Sequence, residues 1–342
     1  MGALTSCTEY SAAPTLTLPR CAGEGIRAEH VTEFDLINRY FQRGLTRTDV
    51  PLGIGDDAAL LTLPSGHELV AAVDTIVEGV HFPVGTAAYD IGYRALAVNL
   101  SDLAAMGAKP AWCTLSLSLP TASEEWMAGF TRGFFDLATA HQCELVGGDT
   151  VRGPLVITVQ VLGAVEMGTA LRRSGAKVGD AIFLTQMTGE AAAGLSLVQT
   201  PRTPTASTQH LVDCFLHPKP RIASGRALRT QATAAMDVSD GLLIDLQRLC
   251  VASGVGAELD LQTNMLSTQL RELFDDTSAW CFALSGGDDY ELLYTLPPQQ
   301  TSYGAQHGVR IGTIVTGSGV TCRIDGAVHV PQNTGYDHFA AQ

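Results

Sequence analysis

The chain has 342 residues, of which 46% are hydrophobic and 16% charged, and it carries a formal net charge of -14. This length suits two domains with a full core each, and the composition is that of a globular protein and not of a disordered one. The strong negative charge argues against a nucleic-acid-binding surface. The sequence also lacks the Lys/Arg block that is typical of a membrane-binding patch.

Cysteine usage and the first residues of the chain predict a cytoplasmic protein. Residues 1–27 lack the basic segment and the apolar run of a signal peptide, and no apolar run is long enough for a membrane span. The 8 cysteines form no C-x-x-C pair, and several lie inside apolar runs. They are therefore predicted to be buried free thiols in a reducing compartment, and not zinc ligands or disulfides.

Hydrophobic periodicity predicts an α+β protein with two domains that are joined near Met167. An irregular extension over residues 1–30 precedes the first domain, residues 31–167. The elements predicted for that domain, in chain order, are helix 33–41, strand 69–74, helix 89–106, strand 111–119, helix 124–141, strand 144–146, a glycine turn over 147–150 and a β-rich segment over 155–165. Gly107 and Pro110 are typical of residues that end a helix.

The second predicted domain, residues 168–342, begins with a basic connector over residues 171–180. This connector is interpreted either as a phosphate clamp or as a solvated linker. After it the pattern predicts strands over 181–185, 234–238, 256–261, 291–296, 309–315 and 320–330, helices after Gly189 and over 242–250 and 266–274, and an exposed loop over 199–210. Two such α/β units in tandem predict a facing pair with ligands in the cleft between them.

Two adjacent carboxylates, Asp56 and Asp57, lie between a glycine turn and an apolar run that is predicted to be a strand. Because adjacent carboxylates repel each other, a purely structural role requires both to be solvated or paired. A divalent cation such as Mg²⁺, which takes oxygen ligands and usually accompanies phosphates, would offset the repulsion. An acidic surface turn is the alternative for this motif taken alone.

The acidic pattern recurs where apolar segments stop or glycine-rich turns begin, at Asp74, Asp102, Asp149, Asp237, Asp240, Asp288 and Asp289. A helix cap or a turn explains any one of these residues. Carboxylates at the ends of several strands can also converge on one site in an α/β protein, and the repetition favours that interpretation. Asn99 and Asp102 share one face of a predicted helix, where polar groups need a partner.

Five segments, residues 53–59, 99–108, 147–150, 237–242 and 285–292, together closely resemble the thiamine-monophosphate kinase family. That family is similar to aminoimidazole ribonucleotide synthetase and selenophosphate synthetase, with which it shares an ATP-binding superfamily. The resemblance runs in order from about residue 34 to residue 339. It implies ATP-dependent phosphorylation of thiamine monophosphate to thiamine diphosphate by direct transfer, with several Mg²⁺ ions. It also implies a homodimer in which the sheets of the N-terminal domains pair.

The resemblance assigns roles to the positions that match the family motifs. It implies metal ligands at Asp57, Asp74, Thr75, Asp102, Asp149, Asp237 and Asp240, ATP contacts at Gly148, Asp149, Arg173 and Ser239, and a substrate site at His81, Asp288 and Tyr336. From the residues alone, the default interpretation of His81 is a satisfied, half-buried histidine, and a ligand contact is the minority one. This chain departs from relatives in having Ala72 and Val73 where they often carry Ser-Thr, and Asp288 where they often carry Glu.

The implied chemistry needs no catalytic side chain that removes a proton. A phosphate monoester has its second pKa near 6, so the attacking oxygen is already largely deprotonated at neutral pH. The task is to bring two anions together, which requires positioning and charge neutralisation. Two alternatives remain: another ATP-dependent synthetase of the same superfamily, and a non-catalytic nucleotide-binding regulator. His81 and residues 335–339 favour the kinase over the synthetase.

Overall fold

The structure, a computed structural model, describes residues 33–121, 123–336 and 339. The predicted extension over residues 1–30 lies outside these residues. The first unit consists of α1 (Glu33–Leu36), which continues as a π-helical turn (Ile37–Phe41), β1 (His67–Val77), α2 (Ala88–Ala105), β2 (Lys109–Leu119), α3 (Glu124–His141), β3 (Glu144–Arg152) and β4 (Val156–Glu166). No helix within the described residues is both long and apolar enough to cross a membrane.

The second unit contains the remaining seven strands and seven helices of the described chain. In order they are β5 (Ala181–Leu184), α4 (Glu190–Gln199), α5 (Ala206–Leu216), α6 (Ile222–Leu228), β6 (Ala234–Val238), α7 (Leu242–Ser253), β7 (Gly256–Leu261), α8 (Thr268–Leu273), α9 (Asp276–Ser285), β8 (Glu291–Leu296), α10 (Thr301–His307), β9 (Val309–Val315), β10 (Gly319–Ile324) and β11 (Ala327–His329). Short 3-10 turns, Thr263–Met265 and Pro298–Gln300, precede α8 and α10.

Each unit is built on one sheet. The four-stranded sheet has the order β1-β4-β2-β3, so β1 and β3 are its two edges. Strand β1 is antiparallel to β4, and β3 is parallel to β2. The seven-stranded sheet has the order β11-β10-β7-β9-β5-β8-β6. All strands of the first sheet precede Met167, and all strands of the second follow it.

The structure differs from the predicted elements in several places. Residues 58–61 form no strand; Leu60 only makes an isolated bridge to Leu52. The predicted glycine turn over 147–150 lies inside β3. Its Gly148 lies so close to β2 that a Cβ would be 1.9 Å from the Leu115 carbonyl oxygen, which only glycine allows. Residues 320–330 form a two-stranded hairpin, β10 and β11.

The start of α5 shows why part of the predicted loop over residues 199–210 is helical. The Thr205 hydroxyl accepts a hydrogen bond from the Thr208 N–H, and the Thr208 hydroxyl accepts one from the Thr205 N–H. This capping box satisfies two backbone donors at the helix N-terminus. The helix therefore begins at Ala206, four residues before the predicted loop ends.

Helix α2 packs against both units. On one side it contacts α3, β1 and β4, and on the other it contacts α6 and β6. A single apolar core contains Leu100 of α2 together with Ile157 of the first sheet and Leu292 of the second. The tightest approach is at Gly225 of α6, where a Cβ would lie 1.9 Å from the carbonyl oxygen of Ala104. The contact between the units therefore depends on a glycine.

We expect the Gly225→Ala variant to lower the free energy of unfolding by about 1 to 3 kcal/mol, because the added methyl group must push α6 away from α2. Gly44→Ala is the matched control, since a Cβ at Gly44 meets nothing within 4 Å. Its stability should stay within about 0.5 kcal/mol of wild type. Chemical denaturation of both variants measures the difference, and equal stabilities would contradict a close packing of the two units at Gly225.

Candidate functional site

A cavity of about 450 Å³ lies between the two units. Its walls come from the end of β1, from α2, from the loop after β6 and from the loop before β8. Ten of the thirteen predicted site residues line it: Asp74, Thr75, His81, Asp102, Arg173, Asp237, Ser239, Asp240, Asp288 and Tyr336. Residues that are far apart in the sequence, and that come from both units, thus meet in one place.

The other three predicted site residues lie elsewhere in the chain. Asp57, Gly148 and Asp149 line a different cavity, of about 670 Å³, between the 54–59 loop and β3. Because β3 is an edge strand of the four-stranded sheet and β1 is the opposite edge, these residues are separated from Asp74 by the width of that sheet. Within a single chain the structure does not bring them to the cavity between the units.

Polar side chains of α2 hold the strand ends that border the cavity. The Asn99 amide oxygen accepts a hydrogen bond from the backbone N–H of Asp74 at 2.9 Å. The Ser101 hydroxyl donates to the Asp237 carboxylate at 2.6 Å, in a buried contact. Asp102 follows directly and lines the cavity. One turn of α2 therefore positions β1, β6 and a carboxylate of its own.

The carboxylates at the cavity repel one another. Burial, together with the charges of Asp237 and Asp74, raises the pKa of Asp102 to about 8, although Arg173 acts in the opposite direction. Burial also raises the pKa of Asp237, and burial and the Asp240 charge raise that of Asp74. A cluster of oxygen donors with too little positive charge nearby suits hard divalent cations such as Mg²⁺.

Two arginines supply positive charge at the cavity. Arg173 belongs to the basic connector, which is anchored by Ser253: its hydroxyl donates to the Arg173 carbonyl and accepts from the Gly175 and Ala176 N–H groups, all at 3.1 to 3.2 Å. Because Arg173 lines the cavity, this part of the connector belongs to the cavity wall, as the phosphate-clamp interpretation requires. The second arginine, Arg248, was not predicted.

Arg248 belongs to a network around the buried Asp245 that shapes the loop after β6. The carboxylate of Asp245 accepts hydrogen bonds from the backbone N–H groups of Ser239 at 3.1 Å and Asp240 at 3.0 Å. Arg248 donates to Asp245 at 2.7 Å and also forms an ion pair with Asp240. The three-residue spacing of Asp245 and Arg248 on the predicted helix was the available signal for this pair.

Asp288 is held in an unusual conformation by contacts from both units. Its φ is +71°, its N–H donates to the Ser239 carbonyl at 2.8 Å, and the Tyr290 hydroxyl donates to its carboxylate at 3.2 Å. The same carboxylate pairs with Arg94 of α2, which is only 2% exposed and also donates to the Phe215 carbonyl. Arg94 was missed, although a charged residue among the apolar positions of a helix was a visible signal.

His81 has both a backbone partner and a place at the cavity. Its Nδ1 accepts a hydrogen bond from the Val77 N–H at 3.0 Å, so in the neutral ring the proton is on Nε2. Tyr336, whose N–H donates to the Asp240 carbonyl at 2.9 Å, lines the same cavity. His81 is therefore half-buried, and it also lines the cavity, so the two interpretations of this residue are compatible.

A third cavity, of about 590 Å³, adjoins the cavity between the units and shares Asp102, Arg173 and Asp237 with it. Its other walls are mostly small apolar residues: Val70, Ala71, Ala72 and Val73 of β1, Ala105 and Met106 at the end of α2, and Ala235 and Met236 of β6. The two cavities together offer an apolar compartment that leads into a charged one. Such an arrangement suits a ligand with a flat aromatic part and an anionic part.

Family comparisons agree with this architecture. The families described as AIR synthase related protein, N-terminal domain, and AIR synthase related protein, C-terminal domain, match residues 55–165 and 177–324. The fold of both units is thus that of an AIR synthase related protein. The predicted two-domain α+β fold is confirmed.

Individual relatives define the family more closely. Thiamine-monophosphate kinase of Escherichia coli (strain K12) is 45% identical over 322 residues, which cover 90% of this chain and 98% of the relative. The crystal structure of thiamine-monophosphate kinase from Stenotrophomonas maltophilia K279a has 48% identity and a TM-score of 0.79, covering 87% of this chain and 98% of the other. AaThiL complexed with AMPPCP and TMP has 30% identity and a TM-score of 0.73, covering 93% and 100%. The chain belongs to the thiamine-monophosphate kinase family, so the predicted resemblance is confirmed.

Proposed function

We propose that this chain transfers the γ-phosphoryl group of ATP to thiamine monophosphate and so produces thiamine diphosphate, with Mg²⁺ as the required cation. The observation that carries the proposal is the convergence of carboxylates, arginine and predicted acceptor-binding residues from both units on one cavity. The names of the relatives and the AMPPCP and TMP bound to AaThiL support it.

The donor set at the cavity fits Mg²⁺. Asp74, Asp102, Asp237 and Asp240 present hard oxygen ligands, and burial with the charges of Asp237 and Asp74 raises the pKa of Asp102 to about 8. Thr75 adds a further oxygen, in a hydroxyl 2.8 Å from that of Thr158. When bound, Mg²⁺ ions would offset the charge of the phosphates and of the carboxylates together.

The nucleotide is assigned to the two adjoining cavities. The apolar compartment bounded by β1 and β6 suits the adenine ring, and the shared residues Asp102 and Arg173 lie where the phosphates would continue toward the charged cavity. Arg173 is held in place by the contacts of its own backbone with Ser253, so its charge is preorganised for an anion. Ser239 also lines the charged cavity, in the loop anchored by Asp245.

The acceptor is assigned to the part of the charged cavity formed by His81, Asp288 and Tyr336. Thiamine monophosphate combines a cationic ring, an amino group and a phosphate. The Asp288 carboxylate suits the cationic or amino-bearing part, the Tyr336 ring suits stacking, and His81 has a polar N–H. The ion pair with Arg94 fixes the direction of the Asp288 carboxylate.

In the proposed reaction an oxygen of the acceptor phosphate forms a bond to the γ-phosphorus, while the bond from that phosphorus to the β–γ bridging oxygen breaks and ADP leaves. The acceptor oxygen is largely deprotonated at neutral pH, so no side chain has to take a proton. The residues of this chain contribute by alignment and by stabilising negative charge, with Arg173 and Arg248 as the cations at the cavity.

We expect purified protein to release ADP when given ATP, Mg²⁺ and thiamine monophosphate, and not when thiamine replaces the monophosphate. Asp102→Asn should lower turnover by at least about 100-fold, because it removes a charge that would hold Mg²⁺ against the phosphates. Asp260→Asn, at an exposed position of β7 outside the cavity, is the control and should be unaffected. Turnover with thiamine, or turnover independent of Mg²⁺, would contradict the assignment. Nucleotide binding without any turnover would instead favour the alternative function, that of a non-catalytic nucleotide-binding regulator.

A second variant tests the acceptor site. We expect His81→Ala to raise the Michaelis constant for thiamine monophosphate about tenfold while the ATP constant stays nearly unchanged, since the lost contact is to the acceptor alone. His329→Ala, on β11, is the matched histidine control. Steady-state kinetics with each substrate varied in turn measure both constants. Equal changes for both substrates, or a lower melting temperature with unchanged kinetics, would assign His81 a structural role only.

We propose, in addition, that the active form is a homodimer in which each copy completes the site of the other. Asp57, Gly148 and Asp149 lie at the β3 edge of the first sheet, and the charged cavity lies at its β1 edge. Both edges expose apolar side chains, with Leu69 at 52% and Val73 at 58% on β1 and Val151 at 48% on β3. A two-fold axis that pairs β1 with the β3 edge of a second copy would cover these residues and add Asp57 and Asp149 to the cavity.

Mixing two inactive variants tests this dimer. Asp102→Asn and Asp149→Asn should each be inactive as pure proteins. After unfolding and refolding together, a hybrid dimer contains one site with both substitutions and one with neither. Random pairing should then restore about a quarter of the wild-type activity. If the two residues serve the same copy's site, the mixture stays inactive, and light scattering that shows a monomer would also contradict the proposal.

A further inference from the structure

A second group of metal-binding side chains lies outside the cavity described above. Glu190 is the first residue of α4, and His210 and Cys214 lie one turn apart on α5. Their ligand atoms all lie within 4.8 Å of one another. The three residues line a cavity of about 470 Å³, so a small ion can reach them from solvent.

The distances within this group match those of a tetrahedral zinc site. His210 Nε2 lies 3.1 Å from a Glu190 oxygen, and Cys214 Sγ lies 3.5 Å from the other Glu190 oxygen and 3.6 Å from His210 Nε2. Bond lengths of about 2.0 Å to oxygen and nitrogen and about 2.3 Å to sulfur give separations of roughly 3.3 to 3.6 Å between ligands at tetrahedral angles. His210 and Cys214 contact different oxygens of Glu190, so the carboxylate would have to shift for one of its oxygens to share an ion with both, over separations of at most 4.8 Å.

The chemistry of the donors selects the kind of ion. A carboxylate, a thiolate and a neutral imidazole together carry two negative charges, which balance a divalent cation. Thiolate and imidazole favour zinc and similar transition metals over Mg²⁺, which prefers oxygen ligands. The Gln186 amide also donates to a Glu190 oxygen at 3.3 Å and so orients the carboxylate.

We propose that Glu190, His210 and Cys214 bind a zinc-class divalent cation, with a fourth position open to solvent. The prediction that the cysteines are not zinc ligands depended on the absence of a C-x-x-C pair, and this group combines residues from two helices instead. The ion would join α4 to α5. Because Ala192 and Leu195 of α4 line the charged cavity, it would also stabilise one wall of the proposed active site.

Cobalt(II) is a suitable probe, because a cysteine thiolate bound to it gives a charge-transfer band in the near ultraviolet. Tag-free protein is stripped with a chelator and titrated with Co²⁺ in excess Mg²⁺, which occupies carboxylate-only sites. The wild type should develop the band at one equivalent of Co²⁺. Cys214→Ser should lose it, whereas Cys281→Ser, a change at an exposed cysteine of α9, should keep it.

Thermal unfolding gives a second readout. Zinc at micromolar concentration should raise the melting temperature of the wild type and of Cys281→Ser, and should leave that of His210→Ala and Cys214→Ser unchanged, because binding to the folded state stabilises it. A band that persists in Cys214→Ser, the absence of a band in the wild type, or equal melting shifts in all four proteins would overturn the proposal. The three residues would then be only a hydrogen-bonded group.

Discussion

Repulsion between carboxylates is the constraint on which the rest of the structure depends. Asp74, Asp102, Asp237 and Asp240 come from β1, α2, β6 and the loop after β6, and they face one cavity. Burial raises the pKa of Asp74, Asp102 and Asp237. A fold without a use for that charge would let the side chains separate into solvent. Here hydrogen bonds to the backbone and to buried polar groups hold the strand ends and the loop that carry them.

Helix α2 provides most of that restraint. Its Asn99 and Ser101 bind β1 and β6, which belong to different sheets, and its Arg94 reaches the loop that carries Asp288. These three residues are buried among mostly apolar neighbours of α2, which packs on both sides. Each makes a hydrogen bond or ion pair with an element of the site, so stability of the core and geometry of the site depend on the same contacts.

Much of this arrangement was accessible from the sequence. The bounds of β6, β7 and α3 follow from periodicity, because each has a buried face and clear flanking residues. The acidic residues at strand ends predicted a shared site, and the cavity contains most of them. A family resemblance over several segments supplied the roles that spacing alone leaves open.

The remainder depends on contacts that no local pattern encodes. Arg94 meets Asp288 across 194 positions of sequence, and its partner could not be read from the helix on which it lies. The separation of Asp57 and Asp149 from Asp102 is a consequence of strand order in a sheet. The capping box at Thr205 required one hydroxyl to be matched with a specific N–H, where composition indicated only a loop.

Helix α2 makes the carboxylates converge. Asn99→Ala tests this most directly, because it leaves every carboxylate in place and removes only the amide that accepts the Asp74 N–H. Electron paramagnetic resonance titration with Mn²⁺, in the presence of a non-hydrolysable ATP analogue, measures the affinity of the site. We expect the Mn²⁺ affinity of Asn99→Ala to be at least about fivefold weaker than that of wild type, because losing the hydrogen bond that positions Asp74 costs about 1 kcal/mol. We also expect no further loss of affinity when Asn99→Ala is added to Asp74→Asn. Wild-type affinity in Asn99→Ala would show that α2 does not position the carboxylates.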